Sequence, residues 1–301
     1  MKKSKTVRQM TLPEFERKFS TDEKCRAYLM ERRWPELVSC PRCKNENVHE
    51  AKAKADSWIC YKCNAKGYRF SLLVGTIFEN TNYALPIWFK VMYLMLVSKK
   101  GISALQIHRM IGTGSYRTAW YMCHRIRAGL NDPNFAKLTG FVEVDETFIG
   151  GKEKNKHNDK KRKQGRGSVG KIPVVGAVSR KKGTVVAKVI NSVDAQTLNE
   201  FVLDVVSTKV SLVATDEWRG YDRLDVDGWP HGVVKHSAGQ YVNGNIHTNT
   251  IEGFWSLVKR GVMGTFHKVS AKYLPLYIKE FEFRYNNRKN PDIFGTAVAG
   301  C

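Results

Sequence analysis

Three acidic residues in this chain have the type and placement that phosphodiester chemistry needs. Asp145 lies in a run rich in β-branched residues, Phe141–Ile149 (FVEVDETFI). Asp216 closes a second such run, Val210–Thr215 (VSLVAT). Glu252 stands at the start of a helical stretch, Thr250–Arg260. If the two runs are parallel neighbours in one sheet, aspartates at the same level approach one point. A helix crossing the sheet edge can then supply the third carboxylate. Three convergent carboxylates repel one another unless cations sit among them. Two oxygen-ligated Mg²⁺ ions (or Mn²⁺) suit that place, because such ions activate an attacking oxygen and neutralise a leaving one. Adjacent side chains on a strand point to opposite faces, so only one of Asp145 and Glu146 can face such a site. Glu143 shares the face of Asp145 and rivals it; spacing does not separate the two. A single Asp reads as surface charge or a helix cap. The ordered triple on strand, strand and helix favours the catalytic reading.

Lys259 follows Glu252 by nearly two helical turns, so both share one face, about 10 Å apart along the axis. With its neighbour Arg260 it is a candidate DNA-phosphate contact beside the carboxylates. The plainer reading is an amphipathic helix with Phe254, Leu257 and Val258 as its core side.

A second constellation is made of thiols. Cys40-Pro-Arg-Cys43 and Cys60-Tyr-Lys-Cys63 form two C-x2-C turns, each able to aim two thiolates at one ion. Four thiolates close a Zn²⁺ tetrahedron and leave no open position, so one structural zinc is expected. Trp58-Ile59 and Gly67–Phe70 suit a small β-ribbon around it, studded with Lys44, Lys52, Lys54, Lys62, Lys66 and Arg69. Cys25, Cys123 and Cys301 have no partner pattern and read as buried or tail thiols.

The rest of the chain must position these groups and meet a partner. Fifty Lys and Arg against 28 Asp and Glu give a net charge of +22. A surplus of that size points to a polyanion, since each phosphate contact releases a counterion. The longest apolar run, Val91–Val97, is far below the roughly 20 residues of a membrane span, so no membrane role is expected. The N-terminus has basic residues but no apolar core of a secretory signal. A cytoplasmic, nucleoid-associated chain follows as the expectation.

Residues 11–34 read as two short helices, the second capped by Ser20 or Thr21 and ended at Trp34-Pro35. Three further helices are expected at Ile87–Ser98, Ile102–Met110 and Tyr116–Leu130. Gly112-Thr113-Gly114 breaks the second, and Ser115 caps the third. This is a helix-turn-helix pattern whose third helix carries Arg117, His124, Arg125 and Arg127, giving Arg117, Arg125 and Arg127 as DNA contacts. An ordinary three-helix packing unit is the plainer alternative. Strands follow at Phe141–Ile149, Ile172–Ser179, Thr184–Ile190 and Val210–Thr215. Helices are expected at Ala195–Val206, Glu217–Leu224, Thr250–Arg260 and Ser270–Asn287. The order gives an α/β plan with one mixed sheet. Residues 151–171 carry nine basic and two acidic residues. They read as a basic loop gripping the DNA backbone, with Lys161, Arg162 and Lys163 at its centre.

The chain resembles the bacterial insertion-sequence transposases that join an N-terminal zinc ribbon to an RNase H-like DDE catalytic domain. The matching stretches are WPELVSCPRCKN, WICYKCNAKGYRFSLLVGTIFENT, VEVDETFIGGKEKNKH, TDEWRGY, HTNTIEGFWSLVKRG and EFEFRYNNR, spread over residues 34–290. The resemblance implies an RNase H-like mixed sheet flanked by helices, behind a zinc ribbon and a helical DNA-binding region. It implies metal-dependent hydrolysis at transposon inverted-repeat ends, then transesterification by the released 3′-OH. It makes Asp145 in VEVDET, Asp216 in TDEW and Glu252 in HTNTIEGFW the metal-binding triad, and so decides for Asp145 over Glu143. His247 and Asn249 belong to the same matching motif as Glu252. They are taken as active-site neighbours, with hydrogen bonding at the helix entry an equal alternative. Tyr221, His231 and His236 receive no role.

The expected partners are double-stranded DNA, as transposon ends and target, and further copies of the chain, since two ends must be held together. The expected division is N-terminal helices over 1–36, the ribbon over 37–72 and the helix-turn-helix region over 84–131. The catalytic domain takes 138–290 with its basic insertion 151–171, and a tail takes 291–301. A nuclease without strand transfer and a transposase-derived DNA-binding regulator are the competing readings.

Overall fold

The computed structural model describes residues 7–52, 55–130, 136–151, 157, 170–222, 224–226, 228–234 and 246–301. The chain forms two units: Met1–Asn131 together with Lys289–Cys301, and Asp132–Arg288.

In the first unit, α1 (Leu12–Lys18) starts at Thr11, whose backbone and hydroxyl both engage the Glu14 carboxylate. Helix α2 (Asp22–Arg33) is capped by Thr21, whose hydroxyl accepts from Lys24 N at 3.3 Å. A three-stranded antiparallel ribbon follows: β1 (His49–Glu50), β2 (Ser57–Cys60) and β3 (Tyr68–Ser71). Three helices come next, α3 (Leu85–Val97), α4 (Ala104–Ile111) and α5 (Tyr116–Gly129). Gly112 ends α4 in the left-handed region at φ 69°, a conformation that needs no Cβ. Ser115 caps α5 by accepting from Thr118 N. His108 Nδ1 lies 2.9 Å from Thr113 Oγ1 and ties α4 to the turn.

One element of this unit was not foreseen. Residues 293–299, expected as tail, form α9 (Ile293–Ala299). Phe294 packs its ring 5.5, 5.1 and 5.4 Å from those of Phe15, Phe19 and Phe89. Asp292 caps α9 through Gly295 N and pairs with Arg32 at 2.5 Å. The end of the chain thus completes the aromatic core of its beginning.

The second unit is one five-stranded mixed sheet in the order β6-β5-β4-β7-β8. Its strands are β4 (Leu138–Ile149), β5 (Ile172–Ser179), β6 (Thr184–Val189), β7 (Val206–Asp216) and β8 (His231–Val234). β4, β5 and β6 form an antiparallel meander; β4, β7 and β8 run parallel. Helix α6 (Ala195–Val205) covers one face, where Leu198, Phe201 and Val202 meet Val142, Val144 and Val213. Helices α7 (Asn249–Gly261) and α8 (Leu274–Asn286) cover the other, where Phe254, Trp255, Ile278 and Phe281 meet Ile149, Val174 and Val178. This is the RNase H-like plan of a sheet sandwiched by helices.

Where a helix is expected at 217–224, the described residues form a single 3₁₀ turn, Arg219–Tyr221, instead. Asp216 Oδ1 accepts Trp218 N at 3.1 Å, and the Trp218 indole donates to Val193 O, so the segment is tied into a turn. Of the basic insertion, residues 151, 157, 170 and 171 are among those described; Lys161, Arg162 and Lys163 lie outside them. Among the described residues no helix is long and apolar enough to cross a membrane.

Candidate active site and metal centres

Strand register brings the two aspartates level. β4 and β7 are parallel neighbours with Val142 opposite Val213 and Glu143 opposite Ala214. Two residues further along each strand, Asp145 stands level with Asp216. Since Val142 and Val144 face α6, alternation turns Glu143 and Asp145 toward α7 and α8. The same alternation sends Glu146 to the α6 side. There the hydroxyl of buried Tyr221 donates to its Oε2 at 2.8 Å.

Helix α7 reaches this point because Gly176 lies opposite Asp145 on β5. A Cβ at Gly176 would come within 2.7 Å of the Trp255 ring, so only glycine admits the helix this close. Glu252 projects from the first turn of α7, with Thr248 Oγ1 donating to its Oε1 at 3.0 Å.

The electrostatics register the convergence. The Asp145 carboxyl is pushed up to about 8 by its burial, then by the charges of Glu146, Asp216 and Glu252. Burial also raises Glu146, with Asp216 adding to the effect. The donor set is all oxygen and acidic. That chemistry fits a hard divalent cation.

Glu143 has a different environment from its strand partner. It is fully buried (0 % exposed). Its Oε2 accepts Thr250 N at 2.8 Å and Ile251 N at 3.0 Å. Its Oε1 accepts Thr250 Oγ1 at 2.8 Å and Arg180 Nε at 2.5 Å. His247 Nδ1 lies 3.2 Å away. So many donors engage this carboxylate within the protein, whereas Asp145 remains only partly buried.

The remaining expected residues are scattered more widely. His247 precedes α7, and its carbonyl accepts Arg180 Nη2 at 2.6 Å. Asn249 is the first residue of α7 and is exposed. Lys259 and Arg260 are exposed on the same helix, clear of the buried Phe254, Trp255 and Val258. In the first unit, Arg117 is exposed on α5. Arg125 is half-buried, donates to Glu79 O at 2.9 Å and lies over the rings of Trp88 and Tyr121. Arg127 corrects the expectation of a DNA contact. It is 1 % exposed, because it falls one helical turn after buried Cys123, on the inward side of α5. His124, also buried, shares that side.

The four cysteines do converge. Cys40 and Cys63 sulfurs are 3.4 Å apart and those of Cys43 and Cys60 are 3.7 Å apart. All four lie within 4.8 Å of one another. A tetrahedron of Zn–S bonds of about 2.3 Å separates its sulfurs by about 3.8 Å, so the thiols fit zinc. Burial would raise the Cys60 thiol, but the Cys63 backbone amide and the neighbouring thiols outweigh it and bring it down to about 6. Hydrogen bonding with Cys43, ahead of burial, pushes Cys63 up to about 12. Among the described residues this is the one group of three or more Cys, His, Asp or Glu so tightly gathered. The carboxylates are spaced more widely.

Sequence reasoning passed over Gly176, Arg180 and Thr250. The first had a signal: a glycine inside the β-branched run IPVVGAVS marks a close approach. The other two matter only through contacts that tertiary folding creates.

An RNase H-like sheet with acidic residues level on adjacent parallel strands, in one chain with a four-cysteine ribbon, is the plan of a zinc-ribbon transposase. Known proteins agree. Residues 137–286 match the family described as ISXO2-like transposase domain, and residues 20–66 match the transposase zinc-ribbon domain. An uncharacterized protein in transposable element ISH50 of Halobacterium salinarum is 29% identical over 91% of this chain and 94% of its own length. An uncharacterized transposase-like protein of Haemophilus influenzae is 35% identical over 33% of this chain and 78% of its own length. The chain belongs to the IS1595 family of DDE transposases. It is a DNA transposase, a DNA-cleaving and strand-transferring enzyme whose two matched domains engage DNA.

Proposed function

We propose that Asp145, Asp216 and Glu252 are the catalytic triad, acting at the inverted-repeat ends of the element and then on target DNA. The observation that carries this reading is the strand register that sets Asp145 level with Asp216 on the face where α7 brings Glu252, and burial with the neighbouring carboxylates, Asp216 and Glu252 among them, pushes the Asp145 carboxyl up to about 8. The triad would hold two Mg²⁺ (or Mn²⁺), which supply activation of the attacking oxygen and neutralisation of the leaving one. In the first step water attacks the phosphorus at the transposon end, the P–O3′ bond breaks, and the 3′-oxygen leaves with a proton. In the second that 3′-OH attacks a target phosphodiester, forming one P–O bond as another breaks. Asp145 must give up its proton before it serves as a ligand. Lys259 and Arg260 hold a DNA phosphate beside the triad; Arg117 and Arg125 on α5, with Lys161, Arg162 and Lys163, contact the DNA backbone. His247 and Asn249 shape the entry to the helix bearing Glu252. The four cysteines hold one structural Zn²⁺, and the enzyme works as a dimer or larger complex on paired ends.

Linear DNA bearing the element's ends, incubated with the protein and Mg²⁺, tests this. The expected products are cleaved ends and joined ends. Asp216→Asn should lose both by roughly a thousandfold, about 4 kcal/mol, while still binding DNA. An Asp216→Asn protein that still joins ends rejects the triad. A wild-type protein that cuts but never joins pre-cut ends rejects strand transfer by this site.

A further inference from the structure

We infer that Glu143 is a positioning residue: its carboxylate pins the first turn of α7, and with it Glu252, to the strand that carries Asp145. The inference rests on the proposed triad and adds to it the device that sets its geometry.

A fully buried carboxylate costs several kcal/mol of desolvation unless donors replace its water. Glu143 has those donors, and their source is informative. Three of them, Thr250 N, Thr250 Oγ1 and Ile251 N, belong to the first turn of α7. The first amides of a helix have no partner within it, and its N-terminus attracts negative charge. Such amides are ordinarily met by the side chain of the preceding residue. Here that residue, Thr248, makes no side-chain cap and turns its hydroxyl to Glu252 instead. The cap comes from β4, 107 residues earlier in the chain.

Arg180, just beyond the end of β5, completes the clamp. Its Nε donates to Glu143 Oε1, its Nη2 to the carbonyl of His247, and its backbone amide to Phe141 O at 2.9 Å. The segment entering α7 is thereby held from both sides. Glu143 and Asp145 are two residues apart on one face of β4, about 7 Å along the strand. Glu252 directly follows Ile251, whose amide Glu143 holds. The gap between Asp145 and Glu252 is therefore set by a short, charge-assisted link. A metal site assembled from a strand and a helix needs such a link, because neither element alone fixes the other.

The test uses the full zinc-loaded chain free of other divalent ions, and Mn²⁺ as the probe. Glu143→Gln keeps the size, but only one arm of the amide can accept, so either Arg180 or the α7 amides lose their acceptor. Hydrogen–deuterium exchange of the peptide spanning Thr250–Glu252 should quicken about tenfold or more, with the sheet peptides unchanged. Calorimetry should find Mn²⁺ bound about tenfold or more weakly, the loss usual when a group orienting a metal ligand is removed. Asp145→Asn should weaken Mn²⁺ without quickening that exchange. Should Glu143→Gln fail to fold, Thr250→Val removes one donor and keeps the buried charge paired; it should shift both readouts in the same direction by a few-fold. Folded variants with wild-type exchange and wild-type Mn²⁺ affinity overturn the inference. So does unchanged exchange with lost Mn²⁺ binding, which would make Glu143 a ligand. A wild-type chain that binds no Mn²⁺ at this site instead removes the triad reading on which the inference rests.

Discussion

Two anionic clusters, one of thiols and one of carboxylates, are built in opposite ways. The four cysteines lie between residues 40 and 63, on two tight turns that bring their sulfurs within 4.8 Å of one another. The carboxylates come from β4, β7 and α7, and only the strand register and the clamped helix bring them near one another. The thiol set closes on one ion and leaves no place for substrate. The carboxylate set is not gathered so tightly, and Glu252 is exposed; in the proposed function this leaves room for phosphate oxygens. A centre that only holds a fold can be local. One that acts on a long substrate draws its ligands from elements that can be set independently.

If that contrast is right, the clusters should fail differently. The largest effect is expected at the thiols. Removing zinc by a strong chelator, or by Cys40→Ser, should unfold the ribbon, since structural zinc contributes on the order of 10 kcal/mol to such a fold. The second unit should keep its own melting transition. Proton-induced or differential-scanning melts showing both units lost together would break the contrast, and metal analysis of fresh protein finding no zinc would remove its first half.

A smaller effect is expected at Asp145. An ordinary aspartate ionises near 3.8, and this one is pushed up to about 8 by burial and the neighbouring charges. Between those values the folded, metal-free protein holds a proton that the unfolded chain has released. Its stability should therefore fall as pH rises from about 4 to about 8, then level. Metal must displace the same proton, so Mn²⁺ affinity should climb about tenfold per pH unit up to about 8. Asp145→Asn should flatten both profiles; a wild-type affinity independent of pH would contradict the assigned environment.

Smaller again, Gly176→Ala should lower stability by about 1–3 kcal/mol, because the new methyl meets the Trp255 ring at 2.7 Å. It should also weaken Mn²⁺ binding by moving α7 off the sheet, without touching zinc content. A thermal melt and a zinc assay on one preparation check both halves.

The same contrast explains what could be read before folding was known. Local signals were legible: the two C-x2-C turns, the caps at Thr21 and Ser115, and the strand Ile172–Ser179, which forms over the residues expected. The mixed sheet followed from strand order, and its register supports the pairing of Asp145 with Asp216. Non-local features were not legible. The 217–224 segment has helix-like composition, yet the Asp216 carboxylate draws it into a turn. The short α9 has too few residues to show a period, although Asp292 three positions before Gly295 is a cap signal. Arg127 carries a surface residue's charge, but its helix phase buries it. Glu143 and Asp145 look alike in sequence; what separates them is the end of a helix that starts over a hundred residues later.

The most direct test of the central claim replaces Mg²⁺ with Fe²⁺ and lets ascorbate and peroxide cut the polypeptide beside the bound ion. The account predicts scission clustered around Asp145, Asp216 and Glu252, suppressed by excess Mg²⁺ and lost in Asp216→Asn. Scission confined to other segments, or unchanged in Asp216→Asn, would contradict it.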